Sequence, residues 1–329
     1  MPITRSGLSP RRRYPWMAFL LSVLLMAWCG AALWFQFPTL RWLAVVVPLA
    51  GLAVVVLASF KGRRWGWLSL LGLLVLTMGW WLSIRPMQSR DWAPDVAHGV
   101  ESDIDGSKVT LRHVRDFSWR TRDDAEEKWI TTTVDLDQLT SVDFVRTVWA
   151  SPHIAHTMMS FGFADGQYVV FSAEIRRERH ERFSELGGFF KQFELVLIAA
   201  TEDDIVKLRT NARGEDVSIY PLALSLEQRQ GLFLSYLDLG NELAARPRWY
   251  QTITSNCTTM IWKLARHVDG RLPLDWRVLL SGHSQDYLYD IGVISNDRPL
   301  DEIKRNAHVT ERARALPADV NYSAGIRAH

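Results

Sequence analysis

Three unbroken apolar runs fill the first quarter of the chain, Pro15 to Phe37, Leu40 to Phe60 and Trp65 to Ile84; beyond them the pattern changes to short alternating stretches between polar turns. Each run has about the 20 residues that a helix needs to cross roughly 30 Å of hydrocarbon. Trp16, Trp34, Phe35, Trp65, Trp80 and Trp81 stand near their ends, where aromatic rings favour the headgroup layer. Three membrane helices are predicted over 15–85, with the lone glycines Gly30, Gly51 and Gly72 as helix-packing positions.

Residues 86–107 are polar, with Arg90, Asp91, Pro94, Asp95, His98 and Gly99, and read as a linker. Val109 to Val114, Trp129 to Leu136 and Val142 to Trp149 then alternate like half-buried strands. Ile154 to Phe163 and Gln167 to Arg176 predict a hairpin closed at Ala164-Asp165-Gly166, and Phe193 to Ala200 a further strand. A helix is predicted to open at Thr201-Glu-Asp-Asp204, where a capping threonine precedes an acidic first turn. Helical spacing recurs over Ser225 to Leu243 and Thr258 to Val268; Leu274 to Leu280 and Tyr287 to Ile294 read as covering helices, and 316–329 as a disordered tail. The predicted fold is a three-helix transmembrane region followed by an α+β domain over 108–315, an antiparallel sheet with helices.

Composition narrows the function classes. Of 329 residues 48% are hydrophobic, and 38 Lys+Arg face 36 Asp+Glu, which excludes a disordered chain and a nucleic-acid-coating protein. Arg5, Arg11, Arg12 and Arg13 precede the first run and Lys61, Arg63 and Arg64 lie between the second and third, against the single Arg41 in the first turn. Basic residues are retained inside, so 1–14 is expected in the cytoplasm and the domain on the periplasmic side of the inner membrane. A cleaved signal peptide has a shorter apolar core and a small-residue exit, whereas Trp28 to Gln36 is bulky, so an uncleaved anchor is expected. The two cysteines, Cys29 and Cys257, cannot build a disulfide framework or a cysteine-rich zinc site. Neither a metal nor an organic cofactor is expected.

Cys257 stands out because Thr252-Ile-Thr-Ser-Asn256 before it and Thr258-Thr-Met-Ile261 after it place the thiol in the first turn of a helix. There, free backbone N–H groups and the positive end of the dipole favour thiolate and can hold an oxyanion. The competing reading is a small buried side chain. Among nine histidines His156 is the best placed proton carrier, in the strand His156-Thr-Met-Met-Ser-Phe-Gly-Phe163, with His153 second and His180 in a charged solvated run. Ser172, Glu174 and Arg176 share a face of the next strand, so Glu174 or Ser172 is a candidate to orient the imidazole; a cross-strand ion pair is the alternative for Glu174. Asn256, Ser172 and Thr258 are candidates for anion-hole or positioning work, with capping the alternative for Asn256. Trp249, Tyr250 and Arg176 are candidates for a substrate groove, with aromatic packing against the helix the alternative for Trp249 and Tyr250 and an ion pair or exposed polar face the alternative for Arg176.

The ordered set His156-Thr-Met-Met-Ser-Phe-Gly-Phe, Phe171-Ser-Ala-Glu-Ile-Arg176, Glu194-Leu195, Ile219-Tyr-Pro-Leu222 and Arg248-Trp-Tyr250 through Asn256-Cys-Thr-Thr259 resembles the Lnb N-terminal periplasmic domain family over about residues 140 to 270. The family is similar to a permuted form of the papain-like NlpC/P60 cysteine enzymes, with the histidine strand ahead of the cysteine helix. The resemblance implies Cys257 as nucleophile and His156 as general base and acid. It further implies transfer of a fatty acyl chain of a lipoprotein through a thioester to the amino group of its first cysteine. In the lipoprotein transacylases associated with the family the catalytic domain precedes the principal membrane region, whereas here three runs precede it. Three functions are therefore weighed: a membrane-anchored cysteine acyltransferase whose partner is a lipoprotein or membrane lipid, a cysteine amidase or peptidase acting on cell-wall peptide, and a non-catalytic envelope scaffold. Acyl donor, acceptor, chain length and oligomeric state are not specified by the sequence.

Overall fold

The computed structural model describes residues 16–328. The tail 1–14, with the arginines on which orientation was argued, lies outside the described residues. The chain divides into two compact units, 1–85 with 189–192, and the remainder.

The first unit holds three helices, α1 (Trp16–Gln36), α2 (Leu43–Lys61) and α3 (Arg63–Ser83), each long and apolar enough to cross a membrane. Their contacts explain two of the three glycines. A Cβ on Gly30 would meet Ala44 O at 2.8 Å and one on Gly51 would meet Met26 Sδ at 2.5 Å, whereas nothing lies within 4 Å of a Cβ at Gly72, which is not a packing position. Four residues from far along the chain complete this unit. The Phe190 ring stacks on Phe35 at 5.3 Å, the Gln36 amide donates to Phe190 O and Lys191 O at 2.8 and 2.9 Å, and Lys191 Nζ donates to Trp81 O at 2.6 Å.

In the second unit the strands are β1 (Glu101–Asp105), β2 (Lys108–Arg115), the short pair β3 (Ser118–Trp119) and β4 (Ala125–Glu126), β5 (Trp129–Asp135), β6 (Leu139–Val148), β7 (His156–Phe163), β8 (Tyr168–Arg176) and β9 (Glu194–Ala200), with β10 (Asp216–Pro221) after the helix α4 (Glu202–Lys207). Then follow α5 (Leu226–Ala245), α6 (Cys257–Val268), α7 (Trp276–Leu279), α8 (Ser284–Asp290), α9 (Leu300–Ala307), α10 (Thr310–Ala315) and α11 (Tyr322–Gly325). Eight strands form one sheet, β1-β2-β9-β8-β7-β6-β10 with β5 on β2. Because strand side chains alternate between faces, the sheet divides two cores. Phe144, Met159, Phe161 and Phe171 pack with Phe233 of α5 and Leu264 of α6 on one face, and Val145, Met158, Val170 and Ile198 with Ile205 of α4 and Tyr322 of α11 on the other. All eight residues of β7, the strand that carries His156, are buried, as are all seven of β9.

Several expectations need correction. The sheet is mixed, since β2 and β9 run parallel where Val114 and Arg115 meet Ala199 and Ala200. The stretch expected to be a linker supplies β1, which pairs with β2 from Glu101–Arg112 to Asp105–Lys108 around a turn with Gly106 at φ 60°. The stretch expected to be a disordered tail is part of the core: Tyr322 and Ile326 are buried, and Arg327 pairs with Asp143 and Glu202, each at 2.6 Å. Two carboxylates with almost no exposure need a counter-charge, and Arg327 supplies it.

Candidate active site

Cys257 is the first residue of α6, and the local sequence fixes it there. Asn256 caps the helix, accepting from Thr259 N at 2.8 Å, while the Thr259 hydroxyl accepts from Asn256 N at 2.9 Å. The Asn256 amide also donates to Thr252 O at 2.8 Å. Its side chain is thus engaged at both ends in shaping the loop, a positioning role. The Thr258 hydroxyl lies 3.0 Å from that of Thr157 on β7 and 3.8 Å from Cys257 Sγ, which ties the start of α6 to the start of β7. Cys257 Sγ lies 4.0 Å from Ala155 O, one residue before His156.

His156 opens β7, with Nε2 2.7 Å from Ser172 Oγ and 3.0 Å from Glu174 Oε1. The Ser172 hydroxyl donates to the same Glu174 oxygen at 2.7 Å. Nε2 is thereby engaged by two groups of β8. Burial alone would raise the Cys257 pKa above its ordinary 9.0, but the charge and hydrogen bond of His156, with hydrogen bonds from Thr157, bring it down to about 7. Burial would likewise lower the His156 value; the Glu174 carboxylate opposes this most strongly, against Arg209, and with Cys257 lifts the ring to about 9. Glu174 itself, which burial would raise, is held far below the usual carboxylate range by His156, Arg209 and Ser172. Between those two values the favoured state is thiolate beside imidazolium, a property of the pair.

A part of this network that sequence reasoning missed lies behind Glu174. Arg209, buried in a π-turn over Leu208–Ala212, reaches Glu174 at 3.4 Å and Glu215 at 3.1 Å, and Glu215 in turn accepts from the Thr147 hydroxyl. Thr147 is the cross-strand partner of His156, so the chain of charges closes back on the histidine. Nothing in the stretch Leu208-Arg-Thr-Asn-Ala212 distinguishes Arg209 from a solvated cation except its spacing from apolar neighbours.

The groove candidates separate. Tyr250 packs against the core, and the pKa of its hydroxyl is raised chiefly by burial and further by the charges of Cys257 and Glu174. Trp249 bridges Glu194 through its backbone and lies under Arg90, 5.9 Å from ring centre to guanidinium. Arg176 is committed elsewhere, donating to Val96 O at 3.1 Å, Gln88 Oε1 at 2.6 Å and Ala97 O at 2.6 Å, and stacking on Trp92 at 4.6 Å. It anchors the 88–97 segment and lines a separate concavity of about 270 Å³ with Gln88, Glu194 and Leu195. The groove beside the site is built by other residues. A largely apolar cavity of about 110 Å³ has Thr258 in its wall and follows α6 past Ile261 and Ala265 to Val268, against Met159 and Leu232. At 1.5 Å per helical residue, that path is about 15 Å long. Among the described residues no three His, Cys, Asp or Glu side chains are arranged to hold a metal ion.

Three membrane-length helices and an α+β domain with a capped cysteine helix beside a histidine strand define a membrane protein whose outer domain carries the site. The model of the Lnb N-terminal periplasmic domain family matches residues 125–282, a span that takes in His156, Ser172, Glu174, Arg209, Glu215 and Cys257. That stretch, just under half of the chain, matches this family, and with the apolar helices ahead of it supports a membrane protein with a periplasmic domain. No curated protein and no solved structure matches the chain.

Proposed function

We propose that the protein is a multi-pass inner-membrane cysteine acyltransferase, its N-terminus in the cytoplasm, that moves a fatty acyl chain on lipoproteins or other acylated envelope molecules through a thioester on Cys257. The reading rests on one observation above the others, a thiol with its pKa lowered to about 7 whose neighbour in the first helical turn, Thr258, lines a long apolar cavity. An amidase acting on cell-wall peptide calls for a polar cleft at that point. The histidine strand ahead of the cysteine helix is the order of a permuted papain-like arrangement, and we propose that relationship for the domain.

In the proposed reaction the Cys257 thiolate attacks the ester carbonyl, and the carbon–sulfur bond forms as the oxyanion is held by backbone N–H groups of the α6 first turn. The carbon–oxygen bond then breaks and the His156 imidazolium protonates the departing alkoxide. An acceptor amine next attacks the thioester, His156 takes its proton, and the carbon–sulfur bond breaks to restore the thiolate. Glu174, seated by Ser172 and Arg209, holds the ring and stabilises its charge. Apolar walls favour the amine over water as the second nucleophile.

The test is mass spectrometry of lipoprotein N-termini from cells with the protein, without it, and with Cys257→Ser or His156→Ala in its place. A shift in acylation state that is lost in both variants, at unchanged protein level, is expected. Full activity in either variant removes the mechanism.

A further inference from the structure

A second concavity, about 580 Å³, lies on the edge of the sheet where β6 and β10 meet α8 and α9. It adjoins the apolar cavity: Ser284 lines that cavity and Gln285, the next residue, lines this one. Arg146 in its wall is the cross-strand partner of Thr157, whose hydroxyl meets that of Thr258, the residue after Cys257.

Its chemistry differs from its neighbour's. Arg146, Lys304 and Arg305 face it. Arg146 donates to Gly282 O at 3.2 Å and Pro152 O at 3.5 Å, and among the described residues no carboxylate forms an ion pair with Arg146 or Arg305. The acidic residues in the wall are matched, Asp286 by Lys304 at 2.6 Å and Asp216 by His308 at 2.9 Å. Gln285 is 4% exposed, donates to Asp286 at 3.3 Å, and leaves its Oε1 buried without a partner.

We propose that this concavity binds the phosphodiester of a glycerophospholipid, and that such a lipid is the acyl donor to Cys257; the second clause rests on the acyltransferase reading above. Guanidinium groups without carboxylate partners suit phosphate oxygens, which they grip in pairs. A buried amide oxygen with no donor is costly until one arrives, and the hydroxyl or ammonium of a headgroup supplies it. The diacylglyceryl group of a lipoprotein carries no phosphate and would leave these cations unused. A glycerophospholipid presents an apolar tail and an anionic phosphate a few bonds apart, matching an apolar cavity and a cationic one that share a wall.

The experiment uses the full-length Cys257→Ala protein in detergent and measures by calorimetry its affinity for dihexanoylphosphatidylglycerol, with dihexanoylglycerol and inorganic phosphate as comparison probes. Lys304→Gln/Arg305→Gln is expected to weaken phospholipid binding about tenfold or more, the loss of at least one charge-assisted hydrogen bond. Lys128→Gln, an exposed cation elsewhere, is expected to leave it unchanged. Inorganic phosphate should compete, and dihexanoylglycerol should bind at least about tenfold more weakly by the same reckoning. Equal affinity for the two lipids, or no effect of the double substitution, overturns the site. Intact protein that forms a Cys257 thioester from a diacylglyceryl donor but not from phospholipid overturns the donor assignment. No thioester from any donor, with phosphate-dependent binding intact, sinks the acyltransferase reading and leaves the binding site standing.

Discussion

Replacing Glu174 with glutamine removes one negative charge from behind His156 while keeping an oxygen for Ser172. The carboxylate is the strongest influence lifting the His156 pKa from 6.5 to about 9, a difference worth roughly 3 kcal/mol at 1.36 kcal/mol per tenfold change in acidity. Without it burial governs the ring, which becomes neutral at pH 7.5. Cys257 then loses the cation that holds it at about 7 and moves toward or beyond its ordinary 9.0. At pH 7.5 the thiolate fraction falls from about three quarters to about 3%, so the rate of alkylation by iodoacetamide falls about 25-fold. The assay is that rate as a function of pH, followed by peptide mass on wild type and Glu174→Gln, with thermal unfolding as the control for folding. An inflection that stays near pH 7 in a folded Glu174→Gln protein would refute the coupling.

Three further outcomes follow from the same contacts. Acylation of Cys257 should rise as pH passes about 7, where the thiol loses its proton, and fall as pH passes about 9, where the imidazolium loses the proton meant for the leaving group; a profile flat from 6 to 10, read by thioester formation, contradicts the pair. Arg327→Met should leave Asp143 and Glu202 buried without a counter-ion, costing about 3 kcal/mol and about 6 to 12 °C in unfolding temperature. That loss should shrink at acid pH, since a protonated carboxyl needs no cation; an unchanged melting curve is the contrary result. Ile261→Trp, which fills the cavity along α6, should slow transfer from long-chain donors about tenfold relative to short ones, an effect of about 1.4 kcal/mol, and equal slowing for all chain lengths would move the acyl chain elsewhere.

Local signals were legible wherever one physical rule decided the structure. Alternation located β2, β5 and β6, a continuous apolar run located β9, the Asp165-Gly166 turn located the β7–β8 hairpin, and the threonine and asparagine caps located α4 and α6. The strand β1 had the same turn signal at Asp105-Gly106, but its acidic sequence Glu-Ser-Asp-Ile-Asp masked it, because an edge strand buries little. The parallel pairing of β2 with β9 joins residues over eighty positions apart and has no local signature. At the site, Cys257 was marked by its cap, and His156, Ser172 and Glu174 by strand periodicity. Arg209 and Glu215 were invisible, because a buried ion pair in irregular backbone reads along the chain like any solvated pair of charges. For Arg176 alternation gives the face but says nothing of the carbonyls at Val96 and Ala97 that take its donors.

Cys257 owes its acidity to His156 and Thr157 of β7 and, through His156, to Glu174 of β8, none of which surrounds it in an extended polypeptide. During export through an oxidising compartment the unfolded chain therefore presents a sulfur no more reactive than that of any other nascent protein. Vulnerability to peroxide or to mixed disulfides begins only on completion of folding, when the same sulfur is acidic and half enclosed.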